Sequence, residues 1–206
     1  MNDESLEAIR RAALAELERA PKARPWWVDA VALVAVNALC GLGWSTLFAF
    51  NLVQHTGPVL RGLGAAGLGL MALGGAVAAV RPGGRPLRVL SLGVFVATVL
   101  VMLWGASGFD PGTPFFGGVG CGLSELTASV VPAGVSLWVL SRFAPDAVRT
   151  LVAGLAAGAG GLLTLHLHCP NGTLAHLLVF HLAPWVLVSL VAVGLRRKLP
   201  SASWAP

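Results

Sequence analysis

Six apolar stretches of about 20 residues dominate the chain, each long enough to cross the roughly 30 Å hydrocarbon core of a bilayer as a helix. They run over residues 27–49, 59–80, 87–107, 116–141, 147–168 and 173–195. No water reaches the bilayer core, so each segment must satisfy its backbone N–H and C=O groups internally, which a helix does. The expected fold is all-α: a polytopic membrane protein of six transmembrane helices. Pro or Gly marks the joints at Pro58, Pro82-Gly83-Gly84, Pro111-Gly112, Pro145 and Pro170-Asn171-Gly172, where Pro lacks an N–H and Gly turns freely. Charged residues make up only 11% of the chain, against roughly 25% in a soluble domain. The polar first 25 or so residues hold no short apolar core before a cleavage site, so no signal peptide is expected.

Charge sets the expected orientation. Arg10, Arg11, Arg19, Lys22 and Arg24 precede the first span, and Arg81, Arg85 and Arg88 join the second to the third. Arg142 and Arg149 join the fourth to the fifth, and Arg196, Arg197 and Lys198 follow the sixth. Of the 14 basic residues, only Arg61 falls on the other side. Cytoplasmic loops are the basic ones. Both termini are therefore expected in the cytoplasm, with the chain in a bacterial inner membrane. The absence of Tyr and the abundance of Ala, Gly, Leu, Val and Arg fit a GC-rich bacterial genome. Residues 1–25 then form a cytoplasmic segment, 26–196 the bundle and 197–206 a cytoplasmic tail. Topology accounts for the net charge of +5, so direct nucleic-acid binding is not expected.

The N-terminal segment has its own pattern. Leu6, Ile9, Ala13, Leu17 and Ala20 recur at helical spacing, Asn2 or Asp3 can cap the start, and Pro21 closes the helix. An isolated helix this short is marginal in water and must bury its stripe. A membrane-surface helix carries a basic polar face, whereas here Glu4, Glu7, Glu16 and Glu18 mix with Arg10, Arg11 and Arg19. A protein partner is expected, held by Leu6, Ile9, Arg10, Ala13 and Leu17. The Gly-rich second and fifth spans are expected to pack tightly within the bundle.

Cys121 and Cys169 fall at the outer ends of the fourth and fifth spans, on the side where disulfides persist. They could be bridged if their Cα atoms lie within about 7 Å. Cys40, in mid-span, reads as a small buried hydrophobe. His166 is three residues before Cys169, on the same helical face, while His168 points elsewhere; His176 and His181 open the sixth span, and Glu125 lies one turn below Cys121. An acidic residue inside a span is by default a functional position. Cys121, Cys169, His166, His168, His176, His181 and Glu125 are suitable ligands for zinc or another thiophilic metal, although no C-x-x-C or H-x-x-x-H pair occurs. A structural disulfide, oxidation of the thiols and haem ligation stay open beside that reading.

Gly120-Cys121 with Pro132 beyond it, Ser141-Arg142-Phe143-Ala144-Pro145, the end His168-Cys169-Pro170 and the closing Arg196-Arg197 resemble the NrsF-type and CarR-like six-helix membrane anti-sigma factors. The resemblance implies that the cytoplasmic segment sequesters an extracytoplasmic-function sigma factor and releases it on a signal, with Cys121 and Cys169 as the sensing thiols. The H-x-x-x-C-x-x-C pattern of zinc-binding anti-sigma domains is absent. The rival readings are a small membrane redox or haem protein and, given Glu125 and Pro132 in one span, a transporter. Cysteines 48 residues apart favour a sensor or a staple over a disulfide-exchange catalyst, which uses a close pair. No enzymatic activity is expected.

Overall fold

The structure is a computed structural model that describes residues 3–19, 24–47, 57–106 and 115–200. Helix α1 spans Asp3–Arg19, α2 Trp26–Leu47, α3 Pro58–Val80, α4 Arg85–Trp104, α5 Phe115–Leu140 and α6 Ala147–His168. The last, α7, spans Leu174–Lys198. No strand occurs among the described residues. Helices α2 to α7 are each long and apolar enough to cross a membrane, and their bounds lie within a few residues of the expected spans. Local sequence sets the ends. Pro58 and Pro86 start α3 and α4, where a missing N–H costs nothing. Asp146 caps α6, its carboxylate accepting the Arg149 N–H at 2.9 Å. Gly83, at φ +64°, makes the turn between α3 and α4.

The bundle is built around α6. Its most apolar window is 83% buried, against 22–50% for the other five spans, and it packs against α3, α5, α7, α2 and α4. Small residues permit this. A Cβ added at Gly154 would lie 2.7 Å from the Ser189 Cα of α7, and one at Gly158 only 2.5 Å from the Trp185 ring. At Gly161 it would meet Ala128 of α5 at 2.9 Å. These glycines face neighbours within the same chain, as expected of close backbone packing in lipid. On the opposite side Gly160 and Gly41 bring α6 against α2. Leu39, Leu70, Val96, Leu123 and Leu190 stand exposed on the outside of the bundle, where lipid covers them.

Polar side chains tie these contacts. Asn37 of α2 donates to the Ala72 carbonyl of α3 at 3.1 Å, and Trp185 of α7 to the Leu155 carbonyl of α6 at 2.7 Å. Each removes a donor that would otherwise be stranded in hydrocarbon. At the basic end Arg142 bonds Asp29 at 3.0 Å, Arg88 approaches Asp146 at 3.7 Å, and Arg196 donates to the Phe143 carbonyl. Arg88 and Arg196 are themselves buried. This end is therefore a set of inter-helix ties as well as a charged rim.

Candidate functional site

At the end of the bundle opposite Asp146, three elements converge. Helix α5 supplies Cys121. Cys169 follows α6 directly as its cap, with an extended backbone (φ −72°, ψ 124°) and its N–H bonded to the Leu165 carbonyl at 2.7 Å. A short turn leads into α7, held by the Asn171 side chain accepting the Thr173 N–H at 3.0 Å, and α7 supplies His176 and His181.

The two sulfurs stand 3.7 Å apart, and Cys169 Sγ lies 3.2 Å from His176 Nε2. The rings of His176 and His181 have centroids 5.0 Å apart. One ligand atom from each of Cys121, Cys169, His176 and His181 lies within 4.8 Å of every other. Cys169, His176 and His181 are buried, and Cys121 is half-buried at the rim. Contact with the Cys121 sulfur, reinforced by burial, pushes the Cys169 thiol above its ordinary range.

The two histidines meet because α7 is not a uniform α-helix. Leu177–Leu182 form a π-helical segment, closed by the Ala183 N–H bonding the Leu178 carbonyl. In an α-helix, residues five apart point about 140° away from each other. The i→i+5 pattern of a π turn returns the fifth residue to nearly the same face. Pro184 is the sequence signal for the switch. It cannot donate to the Phe180 carbonyl four residues back, and its ring crowds that carbonyl in α geometry.

The other candidate ligands stand apart from this cluster. His166 Nε2 lies 3.1 Å from the Arg61 carbonyl of α3, and Arg61 donates to the Leu167 carbonyl of α6 at 2.8 Å. His166 and Arg61 thus tie α3 to the end of α6, which gives the one basic residue at this end a structural role. The face shared by His166 and Cys169 in a continuous helix is lost because Cys169 lies beyond the helix end. His168 Nδ1 lies 2.7 Å from the Thr164 carbonyl of its own helix. Glu125 is fully buried one turn below Cys121; Ser129 donates to its Oε1 at 3.3 Å, and its carboxylate faces the gap left by Gly158 and Gly161. Cys40 is half-buried in α2.

Helix α1 presents a different surface. Residues 6–15 are exposed all round, including Leu6, Ile9, Arg10 and Ala13. Leu17 belongs to the same helix, but its side chain lies outside the described residues, as do Ala20, Pro21 and Lys22 altogether.

No family model and no solved structure matches the chain. Among curated proteins, the chain is 34% identical over 207 residues to the carotenogenesis protein CarR of Myxococcus xanthus, an alignment covering 98% of this chain and 91% of the relative. The chain belongs to the CarR-like family of six-helix membrane proteins, the family that the sequence resemblance identifies as anti-sigma factors.

Proposed function

We propose that this protein is a membrane-bound anti-sigma factor that sequesters an extracytoplasmic-function sigma factor and releases it on a signal sensed at the thiol end of the bundle. The observation that carries the reading is the near full-length similarity to CarR. Helix α1 supports it: a short amphipathic helix with Leu6 and Ile9 exposed needs a surface to bury them. Its mixed charge fits a protein surface better than a lipid one. The basic end, with α1 and both termini, faces the cytoplasm in this reading, and Cys121 and Cys169 face the periplasm.

Helix α6 offers the physical link between the two ends. Cys169 caps one end of it and Asp146, paired with Arg88, caps the other. Close-packed interfaces shift between discrete arrangements rather than deform gradually. A change in the Cys169 environment is therefore carried by the same helix to the ion pairs at the basic end.

A bis-histidine haem asks for two histidines on opposite sides of a macrocycle. His176 and His181 share one helix, with ring centroids 5.0 Å apart, too close to admit a porphyrin between them. Co-purification from the native host tests the anti-sigma reading. The full chain should recover a sigma factor, and a chain lacking residues 1–24 should lose it and raise sigma-dependent transcription. Recovery of no sigma factor, or unchanged transcription after the deletion, overturns it.

A further inference from the structure

We propose that Cys121, Cys169, His176 and His181 form a closed Cys2His2 site for one divalent thiophilic cation, zinc being the ion that fits. Three independent features of the structure lead there.

The first is geometry. Tetrahedral zinc, with Zn–S about 2.3 Å and Zn–N about 2.0 Å, separates two sulfurs by about 3.8 Å and a sulfur from a nitrogen by about 3.5 Å. The sulfurs of Cys121 and Cys169 stand 3.7 Å apart and Cys169 Sγ is 3.2 Å from His176 Nε2. No separation in the set exceeds 4.8 Å, so side-chain shifts of about an ångström complete the tetrahedron.

The second is polar satisfaction. Neither ring nitrogen of His181, nor Nδ1 of His176, makes a well-formed hydrogen bond; both residues are buried, at 1% and 3% exposed, and the group His181 meets is the Cys121 thiol, a fellow member of the cluster. Stranding a buried polar group costs on the order of 1–3 kcal/mol. A cation bound between the rings and the sulfurs gives one nitrogen of His181 a partner and takes Nε2 of His176, already beside Cys169, as a further ligand.

The third is the π segment itself. Such segments are rare and recur at functional sites. Here its geometric effect is to turn His181 onto the face of His176, toward both cysteines.

Charge selects the oxidation state. Two thiolates and two neutral imidazoles carry −2, which a divalent ion cancels. A monovalent ion such as Cu(I) would leave one net negative charge in a mostly buried site, which is costly. Four protein ligands leave no open position, so the site is structural or regulatory rather than catalytic. Cys121, half-buried, is the most exposed of the four ligands.

The test uses the full chain in detergent, reduced with a phosphine. Wild type should bind one equivalent of Zn2+, and Co2+ should bind in its place with the intense absorption of tetrahedral thiolate coordination. Cys121→Ser, Cys169→Ser, His176→Gln and His181→Gln should each weaken binding at least about tenfold. His168→Gln should leave it unchanged. In wild type, Zn2+ should also protect Cys121 and Cys169 from maleimide, which reads the site without any variant. Sub-stoichiometric binding, or binding insensitive to both histidine changes, overturns the proposal. Zinc content is measured without a sigma factor, so it can fail while the partner reading stands, and the reverse.

Discussion

His176 and His181, five residues apart in one helix, hold their rings 5.0 Å from each other at an angle of 66°. Helical spacing alone would point them about 140° apart. The pairing depends on the π segment Leu177–Leu182, which ends two residues before Pro184.

Pro184→Ala restores an N–H that can donate to the Phe180 carbonyl. The turn can then relax to α geometry, which rotates His181 away from Cys121 and Cys169. The expected outcome is a helical protein of unchanged circular dichroism whose zinc affinity drops at least about tenfold. Unchanged affinity would show that packing, not the proline, holds the π turn.

Serine at either cysteine should give the same phenotype in a sigma-dependent reporter strain, because each change removes the pair whose sulfurs lie 3.7 Å apart. His181→Gln should match both, and Cys40→Ser, in α2 outside the cluster, should match wild type. Clearly different phenotypes for Cys121→Ser and Cys169→Ser would count against one shared site.

Much of this architecture is legible in the sequence, for identifiable reasons. The spans follow from apolar length, and the meeting of Cys121 and Cys169 follows from topology, since the end of one span and the start of its antiparallel neighbour share a level. The histidine pair is not legible from α-helical spacing; only Pro184 hints at it. His166 looks close to Cys169 in an unbroken helix, but α6 ends at His168 and the backbone turns extended at Cys169. Glu125 shares a face with Cys121 in α5 yet turns into the gap at Gly158 and Gly161. Sequence reads the position along a helix well and the direction of a side chain near its end poorly.

Gly154→Ala should destabilise the bundle, because the new Cβ meets the Ser189 Cα at 2.7 Å and backbone cannot step aside. Overpacking of this kind costs about 1–3 kcal/mol, more than the roughly 1 kcal/mol that Ala adds in helix propensity. A Cβ at Gly69 meets nothing within 4 Å, so Gly69→Ala should be neutral or stabilising. Thermal unfolding in detergent separates the two; equal midpoints would mean that α6 and α7 part without cost.

Asp29 is 4% exposed and held by Arg142 at 3.0 Å and Arg24 at 3.7 Å. Arg142→Ala leaves a buried carboxylate whose remaining ion partner among the described residues is the exposed Arg24. Breaking a fully buried pair costs about 3–5 kcal/mol; Arg142 is about a third exposed, so about 1–3 kcal/mol is expected after screening. Asp29→Asn in the same background should recover most of the loss, which a double-mutant cycle in detergent measures. Additive effects would show that the two residues do not interact.

A zinc held by two thiolates is also a redox-sensitive zinc. The sulfurs must close from 3.7 Å to about 2.05 Å to form a disulfide, and a disulfide sulfur is a far poorer ligand than a thiolate. With hydrogen peroxide as the oxidant, the two bound thiolates give up two electrons and join, while the peroxide takes those electrons and two protons to become two waters. One zinc ion is released for each disulfide formed. In the full chain loaded with Zn2+, a chromophoric chelator should report one zinc released for every two thiols lost from Cys121 and Cys169. Mass spectrometry should find those residues bridged, and a phosphine should restore binding. Zinc lost with both thiols still free would sever the link between oxidation and release.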